Sequence, residues 1–395
     1  MEVQENAALL SAKRIEPKLV GIRRHLHQHP ELSHEEFETT AYIRRQLEEA
    51  GIRILTQYSL KTGLVAEIGG LLDGPVIALR ADIDGLPVQE ETGLPFASQH
   101  PGKMHACGHD FHTAALLGTA LMLKKIEHEL QGAVRFIFQP AEEKAAGAAK
   151  VLASGALKDV TAIYGMHNKP DLPVGTIGIR SGALMAAADG FLVELQGKGS
   201  HAAVPEASID PILTAAHMVV ALQSIVSRNV SPLESAVVSV TRLHTGTAWN
   251  VIPEKAVLDG TVRTFDEDVR ARVTERFGEI VNGVAAAYGT TARLRWLPGP
   301  PPVNNDEELA EAASRTAKRL GLTVVTPKPS PAGEDFAYYQ QQIPGFFAFM
   351  GTAGPHEWHH PAFDVDEGAL AVSSAFFAEL AVEELKRLHA VQLQA

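Results

Sequence analysis

The chain has a single cysteine, Cys107, among 395 residues. No intrachain disulfide can form, which excludes a disulfide-stapled secreted scaffold. Long apolar runs are missing too: none reaches the ~18 residues that a membrane span needs. The opening stretch MEVQENAALLSAKRIEPK carries early acidic residues and no apolar segment, so no signal peptide is expected. Positive charge is scarce: 35 Lys and Arg face 47 Asp and Glu, a formal charge of −12. No dense Lys/Arg run supplies the cationic face that nucleic-acid binding requires. Fixed-period repeats and low-complexity tracts are absent. The expectation is a cytoplasmic protein without nucleic-acid or membrane partners, its thiol kept reduced.

What is present is globular. Hydrophobic residues make up 45% and charged residues 21%. The length suggests about two domains of ~100–250 residues each. Residues 34–50 place Phe37, Ala41, Ile43 and Leu47 near helical spacing, and Gly51 stops the helix. TGLVAEIGG and PVIALRADID read as strands, the second apolar enough for a central position. DFHTAALLGTALMLKKIEHEL, residues 110–130, reads as a helix. GAVRFIFQPAEE, AAGAAKVLASGAL and TAIYGMHN continue as strand, helix and strand, an alternation that argues for a layered α/β domain.

Near residue 187 the pattern changes. DGFLVELQGKG, DPILTAAHMVVALQSIVSRN, SAVVSVTRLHTG, KAVLDGTVRTF, DEDVRARVTERFGEIVNGVAAAYG and TARLRWLPG follow as β-α-β-β-α-β. That order is the split unit of a ferredoxin-like domain. GPPPV at 299–303 reads as its exit linker. The expected organisation is an α/β domain, 1–186 and 300–395, interrupted by an α+β insertion at 187–299.

The chemistry-bearing residues follow the strands. MHACGHDFH offers Cys107, His109, Asp110 and His112 just before a helix. Thiolate and imidazole suit a borderline divalent metal, although Cys-x-His alone also reads as an inert buried cysteine beside capping histidines. Glu142 and Glu143 follow RFIFQPA; at a strand end, adjacent carboxylates point to opposite sides, one towards a metal and one towards a substrate. A solvated acidic turn is the bland alternative. His167 ends AIYGMH, and His359 and His360 lie in EWHHP after another apolar strand. Asp82 and Asp84 close RADID. Five strand ends carrying Asp, Cys/His, Glu, His and His make the ligand set of a one- or two-metal hydrolase.

Several motifs, in order from about residue 25 to 366, carry a family resemblance: HLHQHPELS, LRADIDGLPV, MHACGHDFHTA, FQPAEE, GMHNKPDLPVGTIG, GSHAAVP, NVIP, GTVRTF, GEDFAYY and HHPAFD. The chain resembles the metal-dependent aminoacylase, hippurate hydrolase and indole-acetyl-amino-acid hydrolase group, within the glutamate-carboxypeptidase-like metallopeptidases. The resemblance implies a zinc-peptidase-like catalytic domain with an inserted ferredoxin-like lid that dimerises. It implies five metal ligands, Cys107, His109, Glu143, His167 and His359. It also implies that Glu142 is the general base and that Asp82 supports a ligand imidazole. His201 on the lid reaches the active site, often that of the partner subunit, while Asn250 and Arg263 hold the substrate and its carboxylate. His201 could instead cap its own turn, and Arg263 could merely pair with Asp259 or Asp266. The histidines of HLHQHPE, His25, His27 and His29, are not ligands in the family.

The implied reaction is hydrolysis of an N-acyl-L-amino acid by water activated at divalent ions, two per subunit, zinc or manganese, with cobalt or nickel as other candidates. A dipeptidase or carboxypeptidase is the alternative on the same scaffold. The implied assembly is a homodimer or a dimer of dimers. Lys144-Ala145-Ala146-Gly147 after the Glu pair, Glu206 after HAAVP, and Trp358 depart from the common family pattern. They bear on the acyl pocket rather than on the ligands.

Overall fold

The computed structural model describes residues 7–69 and 74–394. Residues 1–6 of the opening stretch and Gly70, at the end of the first expected strand, lie outside it. By contacts, the chain groups into two units. One comprises Met1–Gly182, Asn304–Lys328 and Asp335–Ala395; the other comprises Ala183–Val303 and Pro329–Glu334. The short return of Pro329–Glu334 to the second unit has no counterpart in the sequence pattern.

The first unit is built on an eight-stranded sheet. Its order is Arg53–Ile54, Leu64–Gly69, Ala133–Gln139, Val76–Asp82, Val160–Lys169, Gly345–Gly351, Thr176–Gly178 and Thr323–Val325. The four strands from Ala133–Gln139 to Gly345–Gly351 run parallel. Ala133–Gln139 and Gly345–Gly351 are buried along their whole length, which is why they read as continuous apolar runs rather than alternating ones. Parallel pairing brings their carboxyl ends to one edge, with Asp82 beside Gln139 and His167 beside Phe349. Open α/β sheets bind ligands at that edge.

Helices Ala7–Gln28, His109–Lys125 and Ala369–Gln392 pack together within this unit. Gly118 lets them pack closely, since a Cβ there would collide with Ser374 Oγ and with Leu19. The helix Phe37–Glu49 buries Thr39, Ile43 and Leu47, one residue every four, so its inner stripe is narrower than expected: Phe37 and Ala41 face solvent. The helix beginning at His109 ends at Lys125 and not at 130. Ile126 breaks it, and a 3₁₀ turn follows at Glu127–Glu129.

The second unit holds a four-stranded antiparallel sheet ordered Ala236–Thr245, Lys255–Thr264, Ala187–Gln196, Thr291–Leu297. With helices Pro211–Ser224 and Glu267–Ala287 this is the ferredoxin-like arrangement. Phe191, Val193 and Leu195 alternate inwards from Ala187–Gln196, onto Met218, Leu222, Phe277 and Val281 of the two helices. Asp210 and Asp266 cap the helices, each accepting from two backbone N–H groups. The first helix does not remain α-helical to residue 229; Ile225–Asn229 forms a π-turn.

Candidate metal centre

The centre assembles at the carboxyl edge of the parallel strands. Cys107 and His109 flank Gly108, which has φ 85 and begins the helix His109–Lys125. A side chain at 108 would be strained by that backbone and would overlap Asn168. The glycine thus lets thiol and imidazole converge across one tight turn. The carboxylate pair arrives differently from expectation. The strand stops at Gln139, and Glu142–Lys144 form a single 3₁₀ turn between Ala141 (φ 54) and Ala145 (φ 49). The two side chains are separated by this turn and not by strand alternation. His167 sits inside the strand Val160–Lys169, and His359 lies in a loop with φ 66.

The five expected ligands come together. Cys107 Sγ is 3.4 Å from His167 Nε2. Glu143 Oε1 lies 3.8 Å from His109 Nε2 and 3.7 Å from His359 Nε2. Cys107 with His109 and His167, and Cys107 with Glu143 and His359, form two groups whose donor atoms lie within 4.8 Å of one another. His109 Nε2 and Glu143 Oε1 are buried and have no hydrogen-bond partner. Burying such atoms unpaired is costly, and a cation between them removes the cost. The donor set of thiolate, imidazoles and carboxylate therefore fits a divalent metal ion.

The electrostatics agree. Burial pushes the Glu143 carboxyl up to about 7. Burial would lower His109, but Asp82, Asp84 and Glu143 raise it to about 10. These are the shifts of a site with too much negative charge for its own cations. Burial lowers His167 and His359, which keeps them in the neutral form that ligates.

The carboxylate that hydrogen-bonds the His109 imidazole is Asp84. His109 Nδ1–H donates to Asp84 Oδ1 at 3.2 Å. Asp84 also accepts from the backbone N–H of Glu142 (3.2 Å) and Glu143 (3.1 Å) and from Ser33 Oγ (2.7 Å). One buried carboxylate thus ties His109, a candidate ligand, to the turn that carries both glutamates. Asp82 instead accepts from His112 Nδ1 at 2.6 Å and from Arg80 Nη1 at 2.7 Å; its Oδ2 lies 3.8 Å from His109 Nε2. Both residues belong to RADID, and two-residue spacing puts them on the same side of an extended chain. Nothing in the sequence distinguishes them; only the strand's end at Asp82 does.

His112, counted among the metal-capable residues of its motif, is committed elsewhere. Its Nε2 accepts from Asn168 N–H at 2.9 Å, so both ring nitrogens are used. The HLHQHPELS segment, distant in sequence, reaches the same helix from behind. His27 Nδ1 donates to Asp110 Oδ2 (2.8 Å) and His27 Nε2 to Glu90 Oε1 (3.2 Å), while Arg23 Nε donates to Asp110 at 2.9 Å. The Trp358 ring lies 4.5 Å from the His167 ring, centroid to centroid, and its indole N–H donates to Asn168.

His201, Asn250 and Arg263 belong to the second unit. His201 is exposed, on a two-residue strand paired with Val251–Ile252. Its Nδ1 accepts from Ala203 N–H at 3.1 Å, a turn-capping contact that fixes the proton on Nε2. Asn250 is beside it, its carbonyl accepting from Ala202 N–H. Arg263 does not pair with Asp259, which Arg242 holds, or with Asp266, which caps a helix. It is half-buried and donates to the carbonyls of Pro331 (3.1 Å) and Val262 (3.0 Å).

Residues 78–383 match the profile of peptidase family M20/M25/M40. The chain is 57% identical over 379 residues to an N-acetylcysteine deacetylase of Bacillus subtilis (strain 168), covering 96% of this chain and all of that one. It is 39% identical to the IAA-amino acid hydrolase ILR1-like 4 of Arabidopsis thaliana, over 95% of this chain and 87% of the other. Among solved structures it is similar to the Bacillus subtilis YXEP protein, described as a dinuclear metal binding peptidase. The TM-score is 0.86 and the identity 55%, over 95% of this chain and 99% of that one.

Proposed function

The chain belongs to peptidase family M20/M25/M40, and from that premise we propose that it hydrolyses N-acyl-L-amino acids, N-acetyl-amino acids foremost, to a carboxylate and a free amino acid. It is a metal-dependent hydrolase of amide bonds. The observation that carries this reading is the convergence of Cys107, His109, Glu143, His167 and His359 beside Glu142, with His109 Nε2 and Glu143 Oε1 lacking hydrogen-bond partners. Identities of 57% and 53% to two N-acetylcysteine deacetylases support the acetyl group as the acyl part.

Divalent ions held by those five residues would supply Lewis acidity and lower the pKa of water at the site. A thiolate and three imidazoles favour zinc, and the carboxylate admits manganese. Glu142 takes the proton of the attacking water and passes it to the leaving amine. Its carboxylate is oriented by the backbone N–H of Asp335, 3.3 Å from Oε1. His201, with its proton on Nε2, is suited to donate to the developing oxyanion. Arg263 is suited to grip the substrate carboxylate, with Asn250 as a neighbouring polar contact.

We assign His201 to the site of a second copy. Helix Pro211–Ser224 exposes Ile212, Leu213 and Val220, the last to 71%, and the sheet edge Ala236–Thr245 exposes Val237 and Leu243. An apolar helix face next to an open strand edge is what a symmetric homodimer covers. Among the described residues no helix is long and apolar enough to cross a membrane. We place the enzyme in the cytoplasm, where Cys107 stays reduced.

The experiment is elemental analysis of the purified protein, then metal restoration and a substrate panel. N-acetyl-L-amino acids, the corresponding amides and dipeptides are compared by kcat/KM. Preference for the acetyl-amino acids supports the reading, and a preference for dipeptides overturns it in favour of a peptidase.

A further inference from the structure

Behind the carboxylate pair lies a second buried cluster that the reaction as written does not use. Arg80 and Asp335 are both closed to solvent. Arg80 Nη2 donates to Asp335 Oδ1 at 2.9 Å, Nη1 to Asp82 at 2.7 Å, and Nε to Gln139 Oε1 at 2.9 Å. Asp335 also accepts from Gln139 Nε2 at 2.8 Å and from Ala148 N–H at 3.0 Å. Tyr339 OH closes the cluster by donating to Gln139 Oε1 at 2.8 Å. The side chain of Asp335 is thus held by two strand ends and by the helix that follows the carboxylate turn.

Its backbone points elsewhere. The Asp335 N–H donates to Glu142 Oε1. Glu142 sits on one 3₁₀ turn between two left-handed residues, a segment with little regular structure to fix a side chain. A buried ion pair is weak evidence for stability, because apolar replacements often do as well. What Arg80 and Asp335 supply, and an apolar pair would not, is a fixed peptide plane aimed at the Glu142 carboxylate.

We propose that Asp335 is a positioning residue for Glu142: its side chain, anchored on Arg80 and Gln139, holds its own amide where that amide orients the base. The proposal rests on Glu142 being the base. Misplacement of a catalytic group by ~1 Å costs on the order of 10²-fold, which sets the expected size of the effect.

The test is a double-mutant cycle on the metal-restored enzyme with Asp335→Asn, Glu142→Gln and the pair. The D335N substitution keeps the volume and an oxygen for Arg80, but its amide cannot accept from both Gln139 and Ala148. We expect D335N to lower kcat about 10–100-fold with KM within about twofold. Metal content by elemental analysis is expected to stay near wild type, while Tm falls, because a buried charge pair is weakened and the Ala148 N–H loses its acceptor. In the E142Q background the added loss from D335N should shrink to about twofold, because residues that act as a unit are not additive. The same fold-loss in both backgrounds, or a loss of metal from D335N, overturns the proposal. E142Q alone at wild-type kcat would overturn the base assignment instead. Should D335N not fold, Gln139→Met removes one anchor and leaves the charge pair intact. Its smaller kcat loss must likewise vanish in the E142Q background, and a loss that persists there refutes the proposal.

Discussion

Asp84→Asn tests whether the metal centre depends on the carboxylate that the geometry identifies. Asp84 accepts from His109 Nδ1, Ser33 Oγ and the backbone N–H groups of Glu142 and Glu143. An asparagine retains one oxygen, so it can serve the His109 and Glu142 side. Its NH₂ then faces Ser33 and the Glu143 amide, and two donors lose their acceptor. A buried donor left unpaired costs about 1–3 kcal/mol. Loss of a residue that orients a ligand typically costs about 10–100-fold in metal affinity. We therefore expect D84N to bind zinc about 10–100-fold more weakly, read by competition with a chromophoric chelator. Activity should return at saturating metal, although not fully, because the turn carrying Glu142 is also loosened. Asp82→Asn, whose carboxylate serves His112 and Arg80, should weaken metal binding less. The reasoning fails if D84N binds zinc as wild type does, or if D82N is the more damaging of the two.

Three further expectations follow from other contacts. Arg263→Lys should raise KM for N-acyl-amino acids far more than for their amides, because an ammonium replaces a guanidinium poorly; equal effects on both would remove the carboxylate role. Mixing His201→Ala with Glu142→Gln protein under subunit-exchange conditions should restore activity that each lacks alone. No recovery despite exchange would confine His201 to its own subunit. Burial would lower His27, yet its bonds to Asp110 and Glu90 raise it to about 9. The Asp110 carboxyl, which burial alone would raise, is held well below its usual range by Arg23 and His27. The His27 contribution to stability is full below its ordinary value of 6.5 and is lost as pH rises through about 9. The Asp110 contribution is present above the usual carboxylate range and is lost in acid. Thermal melts should thus fall on both sides, and His27→Gln should lose the alkaline part of the decline; an unchanged alkaline limb would rule out His27 as its source.

The candidate ligand residues were legible as a group because metal chemistry restricts residue type and open sheets restrict position. Glu143 lies just past the apolar strand Ala133–Gln139 and His167 near the end of Val160–Lys169, so both restrictions act on them at once, whereas Cys107 and His109 sit at the start of a helix. What was not legible is who holds whom. Asp82 and Asp84 are equivalent in pattern, and only hydrogen-bond partners separate them. The carboxylate turn was hidden because Ala141 and Ala145 adopt left-handed backbone without the glycines or asparagines that normally announce it. Helix Ala7–Gln28 does not stand out in the sequence because Pro17 lies within it, while its inner face mixes Leu19, Ile22 and Leu26 with the buried Arg23 and His27. The β-α-β-β-α-β order of the ferredoxin-like unit was legible, since its strand Ala187–Gln196 alternates cleanly and its helices open on acidic residues, but the π-turn at Ile225–Asn229 and the return of Pro329–Glu334 were not.

His112 is a metal-capable side chain that its neighbours keep out of the proposed ligand set. It lies one helical turn from His109, their rings 5.4 Å apart, and it can join Asp82 and His109 in a cluster of metal-capable atoms. Asp82 takes one nitrogen and the Asn168 backbone the other. An imidazole is thus held by its neighbours beside the proposed ligands, and a substitution that frees it would offer a further donor there without touching any of them.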